Sequence, residues 1–375
     1  MTIHWCGTGL SAVPGLKRLL DAGRDLVVWN RTVETARAVA GPDADVRAFD
    51  LDALAAALQA GDVVVSMLPA AMHVALATRA IDAGAHFVSS SYIAPEMRAL
   101  DDAAHEAGVS VVNEIGLDPG IDHLFAHDLM ADYRASDAFD PANQLHFLSY
   151  CGGIPKVPNP FRYKFSWSPL GVLTALRSPS RSLRNGDVFD AARPWEALSR
   201  YDAPLPQPET FEVYPNRDSL PFMAEYGFDP AWDVRDFVRG TLRLDGWASA
   251  WGEVFERVET ADDATLRDMA RAFWRDNAYD AGEPDRVVMV VDLRAARDGA
   301  DVYHKTWVMD AWGDADGTAM ARLVSNPVAR AVEAVAAGDM PSGVQAAPSR
   351  PDQVAAFIDE VRSLAQHVER VDRLS

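Results

Sequence analysis

IHWCGTGLSA, Ile3 to Ala12, is the part of the chain from which its architecture can be argued. A short apolar run leads straight into Gly-x-Gly-x-x-Ala, with Gly7, Gly9 and Ala12 at the marked places. Gly7 would make the tight turn out of a strand. Gly9, lacking a side chain, would let backbone approach a pyrophosphate at the N-terminus of the next helix, and Ala12 would let that helix pack on the strand. Leu10 and Ser11 complete the loop. Glycines are common between strands and helices, so the motif alone is weak. Its position gives it weight, because it opens a chain in which short apolar runs alternate with alanine-rich helical patterns.

Candidate strands recur at Ile3–Cys6, Leu26–Trp29, Val46–Phe49, Val63–Met67, His86–Ser89 and Val109–Val112. Strands spaced by helices predict a parallel sheet wrapped on both faces. After Asp122 the rhythm changes to a helix reaching about Tyr133, a strand QLHFLSY, and then SYCGGIPKVPNPFRYKFSWSP, Ser149 to Pro169. That segment shows neither helical nor strand period and reads as irregular, as does the proline-rich chain on to about Arg235. Strand-like runs return at DFVRGTLRL, RVVMVVDL and YHKTWVMDAW, with a helical stretch Asp263–Trp274 among them and two helices after Thr318. The expected class is α/β: a Rossmann doubly wound parallel sheet with an inserted α+β substrate domain. The expected domains are 1–122 for the dinucleotide, 123–316 for substrate and dimerisation, and 317–375 as helices packing back on the first.

The 375 residues carry a formal net charge of −20, a field that repels nucleic acid and anionic membranes, so neither is expected as a partner. Anionic ligands must therefore meet local clusters of basic side chains. Two cysteines are too few for a disulfide framework, no stretch has the layout of a signal peptide, and no apolar run is long enough to span a bilayer. A cytoplasmic location is the expectation.

The second strand ends in Asn30, Arg31 and Thr32. A ribose 2′-hydroxyl usually meets an acidic residue there, whereas a 2′-phosphate needs a cation and hydroxyl donors. NADP is expected over NAD, although Arg31 also suits a plain surface position. Ser66, Leu68 and Pro69, after the fourth strand, would lie under the ribose and nicotinamide half, and Pro69 equally suits the start of a helix. Beyond the sixth strand, NEIGLDPGID places Glu114, Asp118, Asp122 and His123 where such sheets deliver ligand contacts. Asp118 before Pro-Gly also suits a turn, and Asp122 an N-cap. No spacing suggests a metal site, and there is no nucleophile elbow.

Taken in order, SSSYIAPEM, NEIGLDPGIDHL, SYCGG, YKFSWSPLGVL, YPNRDSLPF and FVRGTLR resemble the glutamate-forming saccharopine dehydrogenases, or saccharopine reductases, of lysine metabolism. The resemblance runs from Thr2 to about Arg243 and continues weakly through GTAMARL. It departs at KVPNPFR, at Gly246–Asp285 and in the tail GVQAAPSRPDQ. It implies an oxidoreductase acting on a CH–NH group, which interconverts saccharopine with glutamate and 2-aminoadipate 6-semialdehyde. A homodimer is compatible with it. Ser90 joins the cofactor residues on the same grounds.

Such a substrate is long, flexible and negatively charged, so its pocket needs donors spread over a wrapping segment. Lys164, Ser166, Ser168 and the amides of Gly152 and Gly153 are candidates, with Phe165, Tyr163 and Trp167 as anchors. Asp118 is the first choice for general acid/base or for orienting the amine, with Tyr92 and His123 behind it. Cys151 could act through its thiol, or pack as a small residue beside the nicotinamide. In DFVRGTLRL, strand alternation puts Phe237, Arg239, Thr241 and Arg243 on one face, the arginine Cα atoms ~13 Å apart, a span suited to two separated carboxylates. Arg217 could add a third cation. A solvated sheet face is the alternative.

Two other readings remain open. One is another amine dehydrogenase, such as carboxynorspermidine dehydrogenase or lysine 6-dehydrogenase, whose substrates would need fewer cations. The other is a non-catalytic NADP-binding sensor, which would show an exposed apolar patch in place of a cationic cleft.

Overall fold

The computed structural model describes residues 1–374. By contacts the chain divides into two units. Met1–His123 groups with Ala321–Pro348, while Leu124–Met320 groups with the residues from Ser349 on.

The first unit begins with β1 (Ile3–Cys6), β2 (Leu26–Asn30), β3 (Asp45–Ala48), β4 (Val63–Ser66), β5 (His86–Ser89) and β6 (Ser110–Val112). All six expected strands are present, with ends moved by at most a residue. They pair in parallel in the order β6-β5-β4-β1-β2-β3, with the reversal beside β1 that characterises a doubly wound sheet. Helices such as Val13–Asp21 and His73–Asp82 cover it. Val64, Leu76, Phe87 and Val111 bury the interface as one apolar cluster.

The second unit is built on β7 (Gln144–Pro155), β8 (Ser180–Arg184), β9 (Asp187–Ala191), β10 (Ser199–Ala203), β11 (Glu209–Pro215), β12 (Asp233–Leu244), β13 (Asp285–Arg297) and β14 (Ala300–Trp312). The last two strands of the chain are β15 (Gly343–Gln345) and β16 (His367–Asp372). β15 returns to the first unit as the seventh strand of its sheet, beside β6, and β16 joins the second sheet beside β14. The nine-stranded second sheet runs β10-β11-β12-β7-β13-β14-β16, with β8 and β9 attached through β12. It is mixed, because β12 and β7 pair in parallel while β13 lies antiparallel to β7.

Three expectations about local structure are corrected here. The segment from Ser149 is not irregular at its start, since β7 runs unbroken through Tyr150, Gly152 and Gly153 to Pro155. Gly152 hid the strand pattern: a Cβ there would stand 2.1 Å from the Leu242 carbonyl oxygen, so glycine is what lets this part of β7 lie against β12. The proline-rich chain before Arg235 holds four short strands, β8 to β11. The tail holds two strands besides its helices Ala319–Ala336 and Pro351–Leu364. The first of those helices is tied to the glycine-loop helix at Gly15. The Gly15 N–H donates to Ser325 Oγ at 2.8 Å, and a Cβ on Gly15 would sit 2.1 Å from the Ser325 carbonyl oxygen. Among the described residues no helix is long and apolar enough to cross a membrane.

Candidate active site

In the first unit the glycine loop has the geometry its sequence requires. Gly7 adopts φ +101°, its N–H donates to the Trp29 carbonyl at 2.8 Å, and a Cβ there would press on Met67 O and Leu68 Cδ2, both at 3.1 Å. Gly9 has no atom within 4 Å of where a Cβ would be, which leaves its backbone open to approach. The helix Val13–Asp21 has no side-chain N-cap; Pro14 brings no amide hydrogen and the Gly15 N–H is taken by Ser325 Oγ, so an anion would be met by the loop amides before Pro14. Leu10 is 54 % exposed and Ser11 is half-buried.

Asn30 braces this loop: its Oδ1 accepts from Thr8 N–H at 3.3 Å and its Nδ2 donates to the Thr32 carbonyl at 2.8 Å. Arg31 and Thr32 point to solvent beyond it. Ser66 ends β4 fully buried, while Leu68 is half-buried and Pro69 exposed. Thr8, which the sequence reading passed over, shares with Ser66 a buried hydroxyl that has no hydrogen-bond partner in the protein. An open glycine backbone, an uncapped helix end and two spare hydroxyls fit a dinucleotide.

The loop after β6 draws several expected residues together. Tyr92 OH donates to Asp118 Oδ1 at 3.0 Å. The Ile93 N–H, next along the chain, donates to Glu114 Oε1 at 2.7 Å, and Glu114 Oε2 lies 3.0 Å from His123 Nε2. Asp122, completely buried, accepts from Gly120 N–H at 2.7 Å; it lies inside the helix Ile121–Ala135, so it is not the N-cap that was its alternative. Ser90 is half-buried just after β5 and packs close to Gly116.

In the second unit, parallel register places Arg239 opposite Ser149 and Thr241 opposite Cys151, so these side chains share one sheet face with Arg243. The alternation expected for β12 holds, and the face is no solvated surface, since Arg239 and Arg243 are each only 5 % exposed. Arg239 lies over the Phe222 ring at 3.9 Å. The Arg243 guanidinium is enclosed by Tyr163 at 4.9 Å and by Tyr214 and Trp247, both at 5.5 Å, with Nη1 donating to the Leu242 carbonyl. Burial pushes the Tyr214 phenol above its ordinary value, and the Arg243 charge opposes that rise. Thr241 is half-buried between the arginines, and Cys151 is 8 % exposed. Ser149, also buried on this face, was not singled out although it falls within the expected strand QLHFLSY; its alternation with Cys151 was the available signal.

The wrapping segment divides in role. Tyr163 and Phe165 are buried anchors, and Trp167 is half-buried. Lys164 pairs with Glu283 at 2.5 Å, so its charge is already met within the protein. Ser168 caps the helix Pro169–Arg177 by accepting from Gly171 N–H. Ser166 keeps a buried hydroxyl without a protein partner, close to Gly153. Gly152 serves strand packing, as described above. Arg217 is exposed, in a left-handed turn at φ +57°.

A doubly wound sheet with a dinucleotide loop, joined in one chain to a mixed sheet bearing buried arginines, defines a nicotinamide-dependent dehydrogenase. Residues 5–112 match the saccharopine dehydrogenase NADP binding domain, and residues 116–364 match the saccharopine dehydrogenase C-terminal domain. The chain belongs to the saccharopine dehydrogenase family, and it is an NADP-binding oxidoreductase of that family.

The saccharopine dehydrogenase [NADP(+), L-glutamate-forming] of Pyricularia oryzae is 33 % identical over 315 residues, which are 76 % of this chain and 68 % of that one. Its namesake in Saccharomyces cerevisiae is 36 % identical over 69 % of this chain and 58 % of its own length. The mitochondrial alpha-aminoadipic semialdehyde synthase of Rattus norvegicus is 37 % identical over 53 % of this chain, a match spanning 21 % of that longer protein. The solved apo saccharopine dehydrogenase (L-Glu forming) from Saccharomyces cerevisiae superimposes with a TM-score of 0.79 at 27 % identity, covering 99 % of both chains. A homospermidine synthase from Legionella pneumophila shares the fold, with a TM-score of 0.69 at 9 % identity.

Proposed function

We propose that the chain interconverts saccharopine, NADP+ and water with glutamate, 2-aminoadipate 6-semialdehyde, NADPH and a proton. The observation that carries the proposal is the pair of buried arginines on β12, in a chain whose relatives are named for this reaction. A buried guanidinium held by aromatic rings is a preorganised carboxylate fork, and a four-residue strand spacing suits two separated carboxylates of one long molecule. Arg239 and Arg243 hold carboxylates in this reading, with Thr241, Ser166, Gly153 and Arg217 as further donors. Lys164 and Ser168, already engaged within the protein, contribute by ordering the segment.

NADP supplies hydride exchange at the carbon bearing the bridging nitrogen. Gly7, Gly9, Leu10 and Ser11 line its pyrophosphate, Arg31 and Thr32 its 2′-phosphate, and Ser66, Leu68, Pro69 and Ser90 its nicotinamide half. The hydrogen-bonded pair Asp118–Tyr92 moves the protons that carbinolamine formation and breakdown require. Cys151 packs as a small side chain on the arginine face.

The cofactor role of 1–122 and the substrate role of 123–316 belong to the same proposal; the expectation that 317–375 packs back on the first unit is corrected, since Ala321–Pro348 does so while the residues from Ser349 on group with the second. A reduced cytoplasmic setting is also proposed, supported by the chain's having only two cysteines. A homodimer is proposed on the family resemblance, and light scattering at twice 40.9 kDa checks it. For the reaction itself, saccharopine, lysine and carboxynorspermidine are each assayed with NADP+ and NAD+. Turnover of saccharopine alone, faster with NADP+, is the expected outcome. Turnover of lysine without saccharopine would overturn the assignment.

A further inference from the structure

The opposite face of the second sheet carries a feature that this reaction does not use. Register aligns Asp236 of β12, His146 of β7, Arg294 of β13 and His304 of β14 in one row across four neighbouring strands. At one end the Asn185 N–H donates to Asp236 Oδ1 at 3.0 Å, which brings Arg184 alongside. At the other the Arg373 N–H donates to the His304 carbonyl at 2.8 Å. The row forms a wall of a cavity of about 360 Å³, lined also by Asp292, by Leu148 and Val238, and by the phenols of Tyr150 and Tyr201.

The charges in this wall are arranged unequally. Both carboxylates are taken by imidazoles, His146 Nδ1 to Asp236 Oδ2 at 2.5 Å and His304 Nε2 to Asp292 Oδ2 at 2.9 Å, and Thr306 Oγ1 also donates to Asp292. The hydrogen bond from His146 holds the Asp236 carboxyl below its usual range. Three guanidinium groups remain. Arg294 is shared with Asp301 at 3.1 Å, Arg184 lies over the Phe189 ring, and Arg373 is hydrogen-bonded to Tyr201. Burial pushes the Tyr201 phenol up, so it stays protonated and able to donate. The chain as a whole has 55 acidic residues against 35 basic ones, so a lining of three arginines to two carboxylates runs against its composition.

We propose that this cavity is a second anion site, distinct from the arginines of β12, and that it takes a short polycarboxylate. Guanidinium groups and phenols would hold the carboxylates, while Leu148 and Val238 give an apolar surface for a carbon skeleton. The volume lies at the small end of ligand clefts, which run from roughly 300 to 1,000 Å³.

Citrate is the probe, titrated calorimetrically into the full-length protein, with inorganic phosphate as the second arm. Citrate is expected to bind, the double variant Arg294→Gln/Arg373→Gln to weaken it at least tenfold, and Arg243→Ala to leave it unchanged. Saccharopine turnover without citrate should be the same in the double variant as in the parent. Because the titration reads binding and not turnover, it stands even if the proposed reaction fails. Should the double variant not fold, Arg184→Gln is expected to weaken citrate at least threefold. No binding at millimolar citrate, or binding lost in Arg243→Ala and kept in the arginine-to-glutamine variants, would overturn the site. Phosphate binding as tightly as citrate would overturn the polycarboxylate assignment.

Discussion

Arg31 and Arg243 show how differently two arginines can be legible. Arg31 is proposed from its place after β2, because cofactor discrimination depends on one position about twenty residues past the glycines. Its exposure means that Arg31→Asp should leave stability untouched while shifting the kcat/KM ratio toward NAD+ by about 10- to 100-fold, the loss of a charged hydrogen bond of roughly 1.5–3 kcal/mol. Equal kinetics with both cofactors in the parent would count against the reading. Arg243 was legible as a face of a strand, but its enclosure by Tyr163, Tyr214 and Trp247 was not, since those rings come from three separate segments. Arg243→Ala is expected to raise the saccharopine KM at least tenfold, about 1.4 kcal/mol, with the NADP KM unchanged. Arg243→Lys, which keeps the charge and loses the planar fork, should recover only part of that loss. Tyr92→Phe removes the donor to Asp118 and should lower kcat by about 10- to 100-fold while leaving the melting temperature near that of the parent.

At the scale of elements, the parallel strands were readable because each is a short apolar run bounded by turns. β7 was only half readable. Its pattern breaks at Gly152 and Gly153 for reasons that lie on neighbouring elements, the Leu242 carbonyl in one case and Met320 Cε, 2.7 Å from where a Cβ would stand, in the other. The strands β8 to β10 escaped because they are short and polar, and β11, though buried at Phe211, Val213 and Tyr214, because prolines crowd it at Pro204, Pro206, Pro208 and Pro215. Gly152→Ala tests this account. Overpacking of a backbone contact should cost about 1–3 kcal/mol, read as a lower melting temperature, and activity should fall with stability because β7 and β12 carry Cys151 and the arginines. An unchanged melting temperature would show that the two strands can part without penalty.

At the scale of the molecule, the helix containing Ser325 and the strand β15 both belong to the first unit, although more than half the chain separates them from β6. The return of a C-terminal segment was expected as helices, but nothing local in GVQ announces a strand that will pair with Ser110–Val112, so the seventh strand was invisible in the sequence. Met1–His123 expressed alone is therefore expected to be unstable or to aggregate, because it lacks the partner of Gly15 and leaves β6 as an open edge. Supplying Ala321–Pro348, fused or in trans, should restore a cooperative thermal transition. A fragment that melts cooperatively without it would show that the returning segment is dispensable.

The order of translation gives this returning segment a further meaning. Between the end of β6 and the start of β15 the ribosome must add roughly 230 residues, about 12–46 s at 5–20 residues per second. Through that interval the nascent cofactor unit has its six strands but not its seventh, and it presents the β6 edge and the bare backbone around Gly15 to the cell. Ribosome-bound chains stalled before Ala319 should hold chaperone that chains stalled beyond Pro348 release, so this unit completes its fold only after the intervening residues of the second unit have been made.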